Sequence, residues 1–146
     1  MKTLAFVIAL ALFIQFTVSA QPCLPDGITF NTQAEIDNFQ TNYPNCAEIE
    51  GDVNIAGDDI TNLNGLNVLT SIGGGLSIGD WHHSNLNLNS LTGLEGLTSI
   101  GGFLSVSWQS SLTSLTGLDN VTFIGGNLQI EFNDALTSFT GLDIVT

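Results

Sequence analysis

Apolar residues in this chain fall into columns at a period far longer than that of a helix. Leu91-Thr92-Gly93-Leu94, Leu115-Thr116-Gly117-Leu118 and Phe139-Thr140-Gly141-Leu142 recur every 24 residues, and Leu63-Asn64-Gly65-Leu66 precedes the first of them by 28. A second marker, Ile72-Gly73-Gly74, Ile100-Gly101-Gly102 and Ile124-Gly125-Gly126, keeps the same two spacings. Two markers in step identify internal repeats, each too small to bury its own apolar face and therefore stacked on its neighbours. After each glycine pair comes a two-residue alternation, Leu76-Ser77-Ile78, Leu104-Ser105-Val106 and Leu128-Gln129-Ile130, and Val53-Asn54-Ile55 holds the same place after Gly51-Asp52. That is the period of a strand. Stacked about 4.8 Å apart, these strands would form a parallel sheet with Asn54, Ser77, Ser105 and Gln129 outward. The glycines suit the corners, and a repeat of this length leaves little room for a helix on the return side.

Ahead of the repeats, Thr32-Gln33-Ala34-Glu35 has capping-box spacing, and Ile36, Phe39 and Tyr43 follow on one helical face. A single short helix from about Gln33 to Thr41, stopped by Pro44, is expected to cover the first coil. The repeats end at Ile144-Val145-Thr146, where the pattern calls for another Ile-Gly-Gly and strand. This reads as a truncated array whose uncapped last coil invites self-association.

Before the cap, Lys2, the apolar run Leu4 to Phe16 and the small residues Val18-Ser19-Ala20 have the form of a cleavable signal peptide. The expected division is therefore a signal peptide over 1–20, an N-terminal cap over 21–48 and repeats over 49–146. The expected product is a secreted or surface-displayed protein with no membrane span after cleavage. Cleavage removes Lys2, the one Lys or Arg, so the net charge of −13 becomes about −14. With no permanent cation to meet phosphates, nucleic acid is excluded as a partner. Cys23 and Cys46, in an oxidising compartment, are expected to form a disulfide.

The unit from Leu112 to Ile130, Leu-Thr-Ser-Leu-Thr-Gly-Leu-Asp-Asn-Val-Thr-Phe-Ile-Gly-Gly-Asn-Leu-Gln-Ile, resembles the receptor L domain repeat. The likeness spans roughly Cys46 to Thr146 and is strongest to the secreted bacterial surface-protein branch of the family. It implies a mainly β fold, a right-handed parallel β-solenoid of the leucine-rich-repeat-like, L-domain type, here with one short N-terminal capping helix. Such arrays often precede a C-terminal sorting domain. The family does not carry a ligand across, because function resides in sites rather than folds.

Chemistry-bearing residues are few. There is no nucleophile, base and acid arrangement at recognisable spacing, no paired-carboxylate motif and no phosphate loop, so the expectation is no enzyme, no catalytic residue and no cofactor. His82 and His83, with Asp80, lie in the insertion that lengthens one repeat, but adjacent histidines diverge and no metal site is expected. Asp58-Asp59 and Asn133-Asp134 follow strands in different coils and would suit calcium, yet Gln109-Ser110 breaks the row. The most suggestive feature is aromatic: Trp108 and Phe132 hold the same place two residues after their strands, with Trp81 nearby. Trp81, His82, His83, Trp108 and Phe132 are the candidate ligand-binding residues. They offer a docking edge for a carbohydrate or protein at a cell surface, or a shield over the edge of the core. The expected function is thus a non-enzymatic recognition or adhesion module; a structural spacer within a surface-displayed repeat protein is the alternative.

Overall fold

The computed structural model describes residues 21–82 and 87–145; residues 1–20, where a signal peptide is expected, His83 and Thr146 lie outside the described residues. Ten short strands carry the architecture: β1 (Gln21–Cys23), β2 (Ile28–Phe30), β3 (Cys46–Ile49), β4 (Val53–Ile55), β5 (Ser71–Ile72), β6 (Leu76–Ile78), β7 (Ser99–Ile100), β8 (Leu104–Ser107), β9 (Phe123–Ile124) and β10 (Leu128–Glu131). They form two five-stranded parallel sheets, one in the order β1-β3-β5-β7-β9 and the other β10-β8-β6-β4-β2. Each layer of chain thus gives one strand to each sheet. In the second sheet Val53, Leu76, Leu104 and Leu128 are in register, as are Asn54, Ser77, Ser105 and Gln129.

This architecture corrects the expected fold class. In place of a right-handed β-solenoid of L-domain type with one sheet row and one capping helix, the chain forms two parallel sheets and two short helices, α1 (Gln33–Asp37) and α2 (Phe39–Asn42). The second sheet arises because the residues before each glycine turn, Ser71-Ile72, Ser99-Ile100 and Phe123-Ile124, pair with one another. The helix divides at Asn38, whose side-chain amide donates to the Ala34 carbonyl at 2.7 Å and whose N–H turns back to Ala34 and Ile36. A side chain that bonds its own backbone in this way competes with helix continuation. The N-terminal segment also does more than cap, since β1 and β2 are the first strands of the two sheets.

The return side of each layer is a run of tight turns. Leu66, Leu94 and Leu118 donate N–H bonds to the carbonyls of Leu63, Leu91 and Leu115, and Leu69, Leu97 and Val121 to those of Leu66, Leu94 and Leu118. These turns keep all the leucines inward, where Ile60, Leu63, Leu66, Leu69, Leu88, Leu91, Leu97, Leu112 and Leu115 are fully buried. Thr70, Thr98 and Thr122 tie layer to layer, each hydroxyl donating to the carbonyl of the residue one layer back, Ala47, Thr70 and Thr98. The last layer holds five of the exposed large apolar side chains, Phe123, Leu128, Phe132, Phe139 and Ile144.

The N-terminal end is closed differently. The expected capping box forms: Thr32 accepts the Glu35 N–H, and the Glu35 carboxylate accepts the Thr32 N–H at 3.2 Å. Ile36 and Phe39 are buried beneath the helices, and Phe39 meets Phe30 edge-on with ring centroids 5.7 Å apart. Thr32→Ala should lower stability by about 1 kcal/mol, read as the shift in a urea midpoint, since one helix-end donor loses its acceptor. No shift would show that the Glu35 half of the box holds the turn unaided. Cys23 and Cys46 are joined, Cα atoms 5.7 Å apart, across a separation of 23 residues. By loop-closure entropy that bond contributes roughly 3 kcal/mol, at the end where the sheets begin.

Candidate functional site

The aromatic edge follows directly from strand register. β8 and β10 pair residue for residue through Ser107 and Glu131, so the residues that follow, Trp108 and Phe132, leave the sheet one above the other. Their rings stack with centroids 4.3 Å apart and planes 19° from parallel. Both backbones are left-handed, Trp108 at φ 58° and Phe132 at φ 55°. Bulky residues seldom adopt that conformation, and it persists only where neighbours over-determine it.

Those neighbours are polar and were not singled out by sequence reasoning as part of the edge. Asn133 accepts the Gln109 N–H at 2.9 Å through Oδ1 and donates to the Val106 carbonyl at 2.9 Å through Nδ2. One amide therefore bridges two layers on either side of Trp108. Gln109 is fully buried and donates through Nε2 to the Ser107 carbonyl at 2.8 Å, while its Oε1 has no hydrogen-bond donor. The Ser107 hydroxyl reaches the Gly79 carbonyl at 3.3 Å. Gly79 is at φ 78°, and a β-carbon there would strike the Gln109 amide and the Ser107 carbonyl, so the layer before Trp108 needs glycine at this turn. A glutamine in a turn looks like solvent-facing polarity in the sequence; only its burial marks it as a support.

Trp81 stands on the neighbouring layer and is 73% exposed, against 38% for Trp108 and 56% for Phe132. It packs on His82, ring centroids 3.5 Å apart, and the His82 N–H donates to Asp80 Oδ1 at 2.8 Å. Of the candidate residues, Trp108 and Phe132 are therefore brought together as one stack and Trp81 and His82 as a second pair, with His83 outside the described residues. Continuing the register of β6 and β8 sets Asp80 level with Trp108.

Two of the polar turn residues that would suit calcium, Asn133 and Asp59, are engaged in holding the fold. Asn133 is used as above, and Asp59 Oδ1 accepts the Gln33 N–H at 3.2 Å. Among the described residues no group of three or more His, Cys, Asp or Glu side chains is placed to hold a metal ion. Elsewhere, a hollow of about 280 Å³ beside the disulfide is lined by Gln21, Pro22, Asn42, Tyr43, Pro44 and Asn45 and presents no acid–base pair. Glu95, Asp119 and Asp143 repeat in register, but each closes a turn by accepting the N–H of Gly93, Gly117 or Gly141.

A disulfide, a strand-rich fold and the lack, among the described residues, of any helix long and apolar enough to cross a membrane fit an extracellular protein. Comparison with protein-family models, with curated proteins and with solved structures finds no match to this chain.

Proposed function

We propose that this chain is a non-enzymatic recognition module, secreted or displayed at a cell surface, that engages a protein or carbohydrate partner along the edge carrying Trp81, His82, Trp108 and Phe132. The observation that carries this reading is Trp81, 73% exposed on an insertion that the other repeats lack. An indole left in water forgoes a large burial free energy, and such side chains anchor contact surfaces. Insertions into repeats tend to fall on the binding face. The likeness of the repeats to receptor L domains agrees with a recognition role without naming a ligand.

The spacer reading draws on a different observation, the Trp108–Phe132 stack, in which each ring covers a face of the other and shields the end of the sheet. The two readings separate on glycan and protein arrays. A recognition module gives a saturable partner, and Trp81→Ala with Trp108→Ala weakens it at least about 30-fold, the loss of two aromatic anchors. A spacer gives no saturable partner, and binding that survives the double variant places the site elsewhere on the molecule.

A further inference from the structure

We infer that the partner is a cationic polypeptide segment that presents arginine or lysine to this edge; the inference rests on the recognition reading above and narrows it to one chemical class. Charge complementarity is the first argument. Asp80 precedes Trp81, Glu131 precedes Phe132 and Asp134 follows it, so the aromatic edge is interleaved with carboxylates. The single Lys or Arg of the whole sequence is Lys2 against a net charge of −13, while Asp80 Oδ1 accepts the His82 N–H and Glu131 accepts from the Gln129 side-chain amide. Partners carrying phosphate, sulfate or uronate would meet a field of the wrong sign, and a basic segment would be drawn in by it.

Ring geometry is the second argument. At 4.3 Å and 19° the inner faces of Trp108 and Phe132 are spent on each other, and the stack offers no pair of coplanar faces along which successive sugar rings could lie. Phe132 and Trp81 are nonetheless 56% and 73% exposed, so both side chains reach solvent. Exposed aromatic rings flanked along the chain by carboxylates, as Trp81 is by Asp80 and Phe132 by Glu131 and Asp134, suit a guanidinium that stacks on the ring and donates to an acid. Arginine, with five donors and no acceptor, matches an edge whose charged groups are all acceptors.

The test is a titration of the secreted full chain followed by tryptophan fluorescence, since Trp81 and Trp108 are its two tryptophans. The probes are an oligoarginine peptide, the same peptide with citrulline in place of arginine, and a neutral chitin oligomer. Saturable binding of oligoarginine is expected, with the citrulline peptide at least about tenfold weaker. Asp80→Asn, Glu131→Gln and Asp134→Asn together should weaken oligoarginine about tenfold, while Asp26→Asn, Glu48→Gln and Glu50→Gln, the same charge removed away from the edge, should change it less than about twofold. Equal weakening in both triple variants would overturn the site, because the general field of the protein would then explain the binding. Saturable binding of the chitin oligomer without oligoarginine would overturn the cationic partner and keep the recognition module. Failure of both probes, with no saturable partner on the arrays, would remove the recognition reading as well.

Discussion

Leu104→Ala is expected to destabilise the protein by about 4 kcal/mol, and the same change at Leu128 by about 1 kcal/mol or less. Both residues occupy the first position of their strand and face each other across the sheet. Leu104 is fully buried between Leu76 in the layer below and Leu128 in the layer above, whereas Leu128 is 50% exposed. Truncation at Leu104 opens a cavity that two layers line, and in a stacked array the stability of a layer is carried largely by its interfaces with its neighbours. At Leu128 half of the removed surface already meets water, and there is no cavity to leave. Urea unfolding of the two variants checks this. Equal losses would mean that the last layer is as well covered as the middle ones, contrary to the exposure of Phe123, Leu128 and Phe139.

That gradient also explains how much of the molecule could be read in advance. The column of Val53, Leu76, Leu104 and Leu128 was legible because a core row repeats its residue type at a fixed interval, and its register is the one observed. The disulfide was legible from two cysteines in an oxidising context, and the capping box from four residues. The fold class was not. Ser71-Ile72, Ser99-Ile100 and Phe123-Ile124 are two-residue strands, too short to display an alternation, and the glycines beside them drew attention as corners. Their pairing depends on the layer spacing, a tertiary property that no local window contains. Asn38 likewise has nothing in its sequence context to set it apart from a helical residue; its amide on the Ala34 carbonyl is a feature of the folded chain.

At the candidate site the same division holds. The Trp108 and Phe132 stack could be anticipated, because equal offsets from two paired strands place side chains one above the other. The left-handed backbone at both residues and the Asn133 bridge that accompanies it could not. By residue type Asn133 suits an oxygen donor to a cation; in the structure its oxygen and nitrogen are both committed to backbone groups of the preceding layer. Residue type suggests which atoms are available, but burial and partners decide what they do.

The glycines of the return side give the second large prediction, because they combine two constraints that are usually separate. Gly93, Gly117 and Gly141 share φ values of 111°, 116° and 115°. A β-carbon at any of them would also strike the carbonyl one layer back, that of Leu63, Leu91 or Leu115. Gly117→Ala therefore meets backbone strain of about 1–3 kcal/mol and overpacking of about 1–3 kcal/mol at one atom, and a loss of about 4 kcal/mol is expected. In a chain of this size that is a fall in Tm of roughly 10 °C or more, measurable by thermal unfolding. The Gly117 N–H also donates to Asp119 Oδ2 at 2.8 Å, so Asp119→Asn, which keeps an acceptor in place, should be nearly neutral by comparison. If Gly117→Ala were as mild as Asp119→Asn, the layers would have room to move apart at this turn. The close approach of successive backbones would then not be what fixes glycine in the repeat.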